Sequence, residues 1–133
     1  MRPVLARVAD HMRTDLVTLS PTMEIVEAVS ILISARVSGA CVLDTSGELV
    51  GVLSKRDCLK AALNASYYKQ WGGTVADHMS TAIETLDADA DIVAAAERFV
   101  ASTFRRFPVL RDGRLVGQIS RTDVLEALSA QWR

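Results

Sequence analysis

Little in the 133 residues points to a covalent or metal-built framework: the chain has two cysteines and two histidines. Cys41 and Cys58 stand 17 positions apart, with no C-x-x-C pairing and no histidine beside them. They are expected to be reduced thiols packed as small apolar side chains, as in cytosolic proteins. His11 and His78 each follow an aspartate but lack partners at ligand spacing, so no metal site is assigned. Charge of one sign is scarce as well. The 15 Lys and Arg against 16 Asp and Glu leave a formal net charge of −1, too weak a field to recruit nucleic acid or an anionic membrane by counterion release. The longer apolar stretches, such as Ile92 to Ala96, fall far short of the ~18 residues of a membrane span. Met1 to Leu5 carries one arginine but no apolar signal-peptide core. Catalytic signatures are equally missing: there is no G-x-S-x-G, no Cys/His pair in catalytic context and no Walker-type loop. The expectation is a soluble, cytoplasmic protein that is not an enzyme and contacts neither nucleic acid nor membrane.

What the chain does have is apolar mass and repetition. Half of its residues are apolar, and a chain of this size buries roughly two-thirds of its unfolded surface. Val8-Ala9-Asp10-His11-Met12 returns unchanged as Val75-Ala76-Asp77-His78-Met79, 67 positions later. Thr18-Leu19 falls on Thr85-Leu86 and Ile25-Val26 on Ile92-Val93. After a one-residue deletion in a turn, Gly47 to Gly51 matches Gly113 to Gly117, and Ser54 to Asp57 matches Ser120 to Asp123. The chain reads as two copies of one unit: residues 1–66, a linker at 67–74 and residues 75–133. Tyr67, Tyr68 and Trp71 make that linker too aromatic to be free, so it is expected to pack across the protein.

Each copy predicts the same order. A short helix at Val8 to Met12 leads to an extended Leu16 to Leu19. Ser20 reads as a helix N-cap with Pro21 at the first helical position. Ile25, Ala28/Val29, Leu32 and Ala35/Arg36 then form one buried stripe. Ala40 to Leu43 and Leu49 to Leu53 form a hairpin around Asp44-Thr45-Ser46-Gly47, followed by a helix from Lys55 to Leu63. In the second copy Asp87 takes the place of Ser20, and Ile92, Ala95/Ala96, Phe99 and Ser102/Thr103 form the stripe. Phe107 to Leu110 and Leu115 to Ile119 make the hairpin, and a helix runs from Arg121 to Ala130. Leu125, Leu128 and Trp132 are expected to pack or to meet a dimer partner. The fold class is α/β (α+β): two β-α-β-β-α repeats expected to pack through their sheets about a pseudo-two-fold axis. Such an arrangement creates two equivalent clefts, where small-molecule sites favour forming.

These residues resemble the tandem cystathionine-beta-synthase (CBS) domain pair, or Bateman module, over about Val8 to Leu128. The carriers are Val8-x-Asp10-x-Met12 and its repeat, Ser38 to Asp44, Arg105 to Leu110, and the runs Gly51 to Asp57 and Gly117 to Asp123. The resemblance implies a regulatory module that binds adenosine-containing ligands (AMP, ADP, ATP, NAD or S-adenosylmethionine) between its repeats. It implies a homodimer of four CBS repeats and a regulated protein of unknown identity. No attached enzyme or transporter is present in the 133 residues, so the module is expected to stand alone.

Chemically, a nucleotide needs acceptors for two ribose hydroxyls, donors for phosphate and an apolar slot for the base. Asp57 and Asp123 offer carboxylates. Ser54 and Ser120 sit at helix starts where anions are favoured, with Lys55, Arg56 and Arg121 adding charge. Ser-x-x-Asp is also a capping box, and the two roles need not exclude each other. Carried over by position, a main cleft combines Arg105, Arg106, Ser120, Arg121 and Asp123 with Thr18, Met23, Ala40, Cys41 and Val42. A second combines Ser54, Lys55 and Asp57 with Thr85, Ala90, Phe107, Pro108 and Val109. Val37-Ser38 is aligned with Arg105-Arg106, so the second cleft lacks a phosphate clamp. Met12 and Met79 are read as core or dimer-contact side chains. The alternative function is a structural dimerisation module with vestigial clefts; Cys41 in place of Pro108 hints at such drift.

Overall fold

The order of elements follows from where each segment can satisfy its backbone. In the computed structural model, which describes residues 6–68 and 72–131, the elements are α1 (Val8–His11), β1 (Thr18–Leu19), α2 (Ile25–Ala35), β2 (Gly39–Leu43), β3 (Leu49–Ser54) and α3 (Lys55–Tyr68). The second set is α4 (Val75–His78), β4 (Leu86–Asp87), α5 (Ile92–Val100), β5 (Arg106–Arg111), β6 (Arg114–Ser120) and α6 (Arg121–Gln131). They form two three-stranded sheets, β1-β2-β3 and β4-β5-β6. In each, the first strand runs parallel to the central one and the hairpin is antiparallel. This is the mixed α/β order the sequence predicts.

The compact units are not the sequence repeats. An amino-terminal unit holds residues 17–83, and a carboxy-terminal unit combines residues 84–131 with 6–16. Each short leading helix therefore packs in the unit of the other repeat. The cause is backbone pairing. In the carboxy-terminal unit Val8 N donates to Ala90 O (2.8 Å), Ala9 N to Ala88 O (2.9 Å), and Arg13 and Gln118 exchange a pair of bonds (2.8 and 2.9 Å). In the amino-terminal unit Val75 N donates to Met23 O (2.8 Å), Ala76 N to Pro21 O (3.0 Å), and Ser80 and Val52 exchange a pair (2.9 and 3.0 Å). The free N–H groups at each short helix's start are thereby satisfied by a loop carbonyl. Met12 and Met79 lie over Gly117 and Gly51 respectively, where any Cβ would collide with the thioether.

Residues 72–74, between the repeats, are tied to the amino-terminal unit: Ile25 N donates to Gly73 O (3.2 Å). Tyr67 and Tyr68 end α3 at 76% and 79% exposure, against the expected packing. They fall on the outer turn of a helix longer than the sequence pattern indicates. Trp71 and Trp132 lie outside the described residues.

Neither Ser20 nor Asp87 caps a helix. Ser20 to Met23 is a turn closed by Met23 N to Ser20 O (3.2 Å), and Asp87 accepts from Asp89 N (2.8 Å). The fixed φ of Pro21 suits a turn's second position as well as a helix start, so the pattern serves either. The helices start later, at Ile25 and Ile92, where Asp91 Oδ1 accepts from Ala94 N (2.8 Å) and is the true cap.

The stripes are buried as predicted at Ile25, Ala28 and Leu32, and at Ile92, Ala95 and Phe99. Ala35 is exposed, and Arg36 turns left-handed (φ 56°) to end α2, so the first stripe is one turn shorter. The one-residue deletion lies between the hairpin strands. Asp112 (φ 53°) and Gly113 (φ 77°) make a two-residue connection. In the other hairpin Asp44 Oδ1 instead holds a longer turn through Ser46 N and Glu48 N (both 2.9 Å).

Candidate functional site

The carboxy-terminal unit gathers its polar candidates at one corner. β5 starts at Arg106, directly opposite Ser120, the last residue of β6, and α6 starts at Arg121. Ser120 N donates to Asp123 Oδ2 (2.8 Å) while Asp123 N donates to Ser120 Oγ (3.1 Å). That is the reciprocal capping box. It uses one carboxylate oxygen; Asp123 Oδ1 has no hydrogen-bond partner among the described residues. Arg121 N donates to Arg105 O (3.1 Å) and Arg121 Nε to Phe104 O (3.0 Å). The guanidinium groups of Arg105 and Arg106 have no partner among the described residues. The corner thus offers a half-free carboxylate and two cations at a helix N-terminus, a donor and acceptor set for an anionic polyol.

The amino-terminal unit repeats the box without the cations. Ser54 N and Oγ both donate to Asp57 Oδ2 (2.9 Å each), and Asp57 N returns a bond to Ser54 Oγ (3.1 Å). Lys55 N donates to Ser38 O (2.8 Å), as Arg121 N does to Arg105 O. Gly39 faces Ser54 as Arg106 faces Ser120. The counterparts of Arg105-Arg106 are therefore Ser38-Gly39, not Val37-Ser38. The sequence alignment is off by one, for the offset of 67 that relates Ile25 to Ile92 also relates Gly39 to Arg106. At Gly39 an added Cβ would sit 2.9 Å from Leu53 O, so no side chain fits there.

The strand candidates divide by face. Ala40 and Val42, and likewise Phe107 and Val109, point into their own units' cores with 2% exposure or less. Strand alternation assigns them to packing, which corrects the expectation that their side chains line a cleft. Cys41 and Pro108 lie on the other face, also buried. β1 begins opposite Cys41 and β4 opposite Val109, so the first residues of each central strand have no strand on that side. Thr18 is exposed beside this edge in one unit, and Thr85 precedes β4 in the other. Met23 and Ala90 are half-buried, and their carbonyls hold α4 and α1. Burial pushes the Cys41 thiol up to about 11, and burial together with the Asp57 carboxylate raises that of Cys58. Both stay neutral thiols, as packing requires. Among the described residues no group of His, Cys, Asp or Glu could hold a metal ion, and no helix is long and apolar enough to cross a membrane.

Sequence reasoning missed Phe104, whose ring packs on Phe107 at 5.4 Å and whose carbonyl holds Arg121. An aromatic residue directly before the arginine pair is the trace of it in the sequence.

A family model described as "CBS domain" matches residues 8–64 and 75–130. An uncharacterized protein of Methanocaldococcus jannaschii is 26% identical over 125 residues, 94% of this chain and 44% of that protein. The chloroplastic CBS domain-containing protein CBSX1 of Arabidopsis thaliana is 28% identical, with 86% of this chain and 60% of its own length aligned. The chain thus spans about half the length of these two relatives. The CBS domain-containing protein YhcV of Bacillus subtilis is 30% identical over 90% of this chain and 84% of its own. Among solved structures, CBSX2 in complex with AMP is 29% identical, with a TM-score of 0.82 over 96% of this chain and 98% of that one. The CBS-pair protein CBSX2 from Arabidopsis thaliana, at 28% identity, also reaches 0.82.

Proposed function

The chain belongs to the CBS-domain family, and from that premise we propose that it is a non-catalytic regulatory module that senses adenosine-containing nucleotides. The observation that carries the reading is the corner of Asp123, Ser120, Arg105 and Arg106, in a chain similar to a protein crystallised with AMP. Asp123 Oδ1 accepts from the ribose hydroxyls, and the two arginines and the α6 N-terminus take the phosphate. Ser54, Lys55 and Asp57 form a second and weaker set without a phosphate clamp. AMP, ADP, ATP, NAD and S-adenosylmethionine are the ligands to test, with the regulated protein downstream.

The reading includes a homodimer of four CBS repeats. Its support is a matched set of exposed apolar side chains on the outer helices: Ile33 (65%) and Val100 (88%), Leu59 (66%) and Leu125 (67%), at equivalent positions of the two repeats. Replacing Ile33 and Val100 with glutamate is expected to give monomers by sedimentation equilibrium. One observation favours a purely structural dimerisation module instead: both Ser-x-x-Asp pairs are reciprocal helix caps, a role that accounts for these residues by itself.

Thermal unfolding with each nucleotide, and with GTP as control, separates the two. Ligand at 100 times its Kd adds about 2.7 kcal/mol, a Tm rise of roughly 5 to 10 °C for a chain this size. The sensor reading expects an adenosine-specific rise that Asp123→Ala and Arg106→Ala abolish. No rise with any nucleotide leaves the structural module.

A further inference from the structure

We infer that Arg121 is a positioning residue for the phosphate-binding arginines and makes no contact with the ligand itself; the inference rests on the nucleotide reading above. The sequence places Arg121 among the ligand contacts because it follows Ser120. Its side chain, however, is engaged at Nε, which donates to Phe104 O at 3.0 Å, across 17 positions of sequence. Its backbone N donates to Arg105 O at 3.1 Å. One residue thereby fastens two consecutive carbonyls of the segment entering β5, directly ahead of the Arg105 and Arg106 side chains.

The segment is held from its other side by rings. Phe104 packs on Phe107 at 5.4 Å, Phe107 on Phe99 at 4.7 Å, and Arg98 lies over the Phe107 ring at 5.1 Å. Phe104 is thus anchored by its ring to the core and by its carbonyl to the start of α6. The amino-terminal unit keeps only the backbone half of this device, Lys55 N to Ser38 O, and there the strand opens with Ser38-Gly39 and has no cations to aim. The clamp occurs where there is something to position. A flexible arginine gives up side-chain and loop entropy on meeting phosphate, so fixing the backbone beforehand raises affinity without adding a contact.

The test is a double-mutant cycle with AMP and adenosine as probes, read by calorimetry, alongside amide hydrogen exchange of the ligand-free protein. Arg121→Ala is expected to weaken AMP about tenfold, leave adenosine within twofold, and raise exchange at residues 104–106 at least tenfold. In an Arg105→Ala/Arg106→Ala background the same change is expected to have no further effect on AMP. Arg121→Lys, which keeps the charge but not the planar fork, is expected to fall between wild type and alanine. Additive losses, or wild-type affinity in Arg121→Lys, mean direct phosphate contact and overturn the inference. Unchanged exchange overturns the clamp alone. A wild-type protein that binds neither AMP nor adenosine overturns the nucleotide reading, and the positioning role with it, whatever the exchange shows.

Discussion

Ser38-Gly39 leads into β2 and Arg105-Arg106 into β5, although the two strands sit in sheets of the same order, opposite the same Ser-x-x-Asp box. Behind them the amino-terminal unit packs Ala40 and Leu32 where the carboxy-terminal unit packs Phe107 and Phe99. The repeated positions are those the backbone requires: the box that starts a helix, the glycine under a methionine, the carbonyl that receives a leading helix. The divergent positions surround the start of the central strand. The two copies thus share their backbone solutions, while only one carries an aromatic wedge and the cations beside it.

The largest test of that contrast is in the core. Phe107 has no exposed surface and supports both Phe104 and Phe99. Phe107→Ala is expected to destabilise by about 3–5 kcal/mol in urea unfolding. The matching insertion, Ala40→Phe, is expected to cost about 1–3 kcal/mol by overpacking. Equal small effects would mean that the aromatic wedge is not structural, and the contrast between units would collapse to two exposed arginines.

The leading helices sharpen the comparison from the conserved side. Gly51→Ala and Gly117→Ala each drive a methyl into Met79 or Met12. Both are expected to lose about 1–3 kcal/mol, by similar amounts. Met79→Ala and Met12→Ala are expected to recover part of the loss in the paired variant. A loss confined to one glycine would show that the two dockings, alike in their hydrogen bonds, differ in packing.

Much of this was legible in the sequence, and the misses share a cause. The repeat, the element types, the hairpins and the Ser-x-x-Asp boxes could be read because each rests on local chemistry: period, turn residues and caps. The exchange of α1 and α4 between units could not, since Val8 and Val75 have identical neighbours and nothing local says which copy's loop receives them. Ser20 and Asp87 misled because one pattern suits a turn and a cap alike. Of the site, Asp57 and Asp123 fall on the helices expected to hold them, whereas the strand expected from Phe107 starts one residue earlier, at Arg106. Phe107, Val109, Ala40 and Val42 were assigned to a cleft where strand alternation turns them to the core. Arg121's bond to Phe104 depends on two segments meeting in space, which spacing alone does not encode.

The boxes give a smaller and more discriminating effect. Asp57→Asn and Asp123→Asn each weaken a helix start, at about 0.5–2 kcal/mol, and are expected to match in stability. Only Asp123→Asn is expected to lower AMP affinity tenfold or more. A larger loss for Asp57→Asn would move the principal site to the residues that lack the arginine pair.

The smallest expected effect lies at the start of α4. Thr74 N and Oγ1 both donate to Asp77 Oδ2, at 2.8 and 3.3 Å, and these two bonds hold the Asp77 carboxyl below its ordinary range. α1 has the backbone half only, Arg7 N to Asp10 Oδ2 at 3.0 Å, because Arg7 has no hydroxyl and sends its guanidinium to Asp89 O. A carboxyl depressed in the folded state contributes stability that is present above its unfolded value, about 3.9, and is lost as pH falls through the folded value. Thr74→Val is therefore expected to raise the Asp77 pKa in an NMR titration. Its stability deficit relative to wild type is expected to shrink on acidification through that range, since a protonated carboxyl no longer takes charge-assisted bonds. A deficit constant across pH would assign Thr74 to packing and leave the two leading helices equivalent.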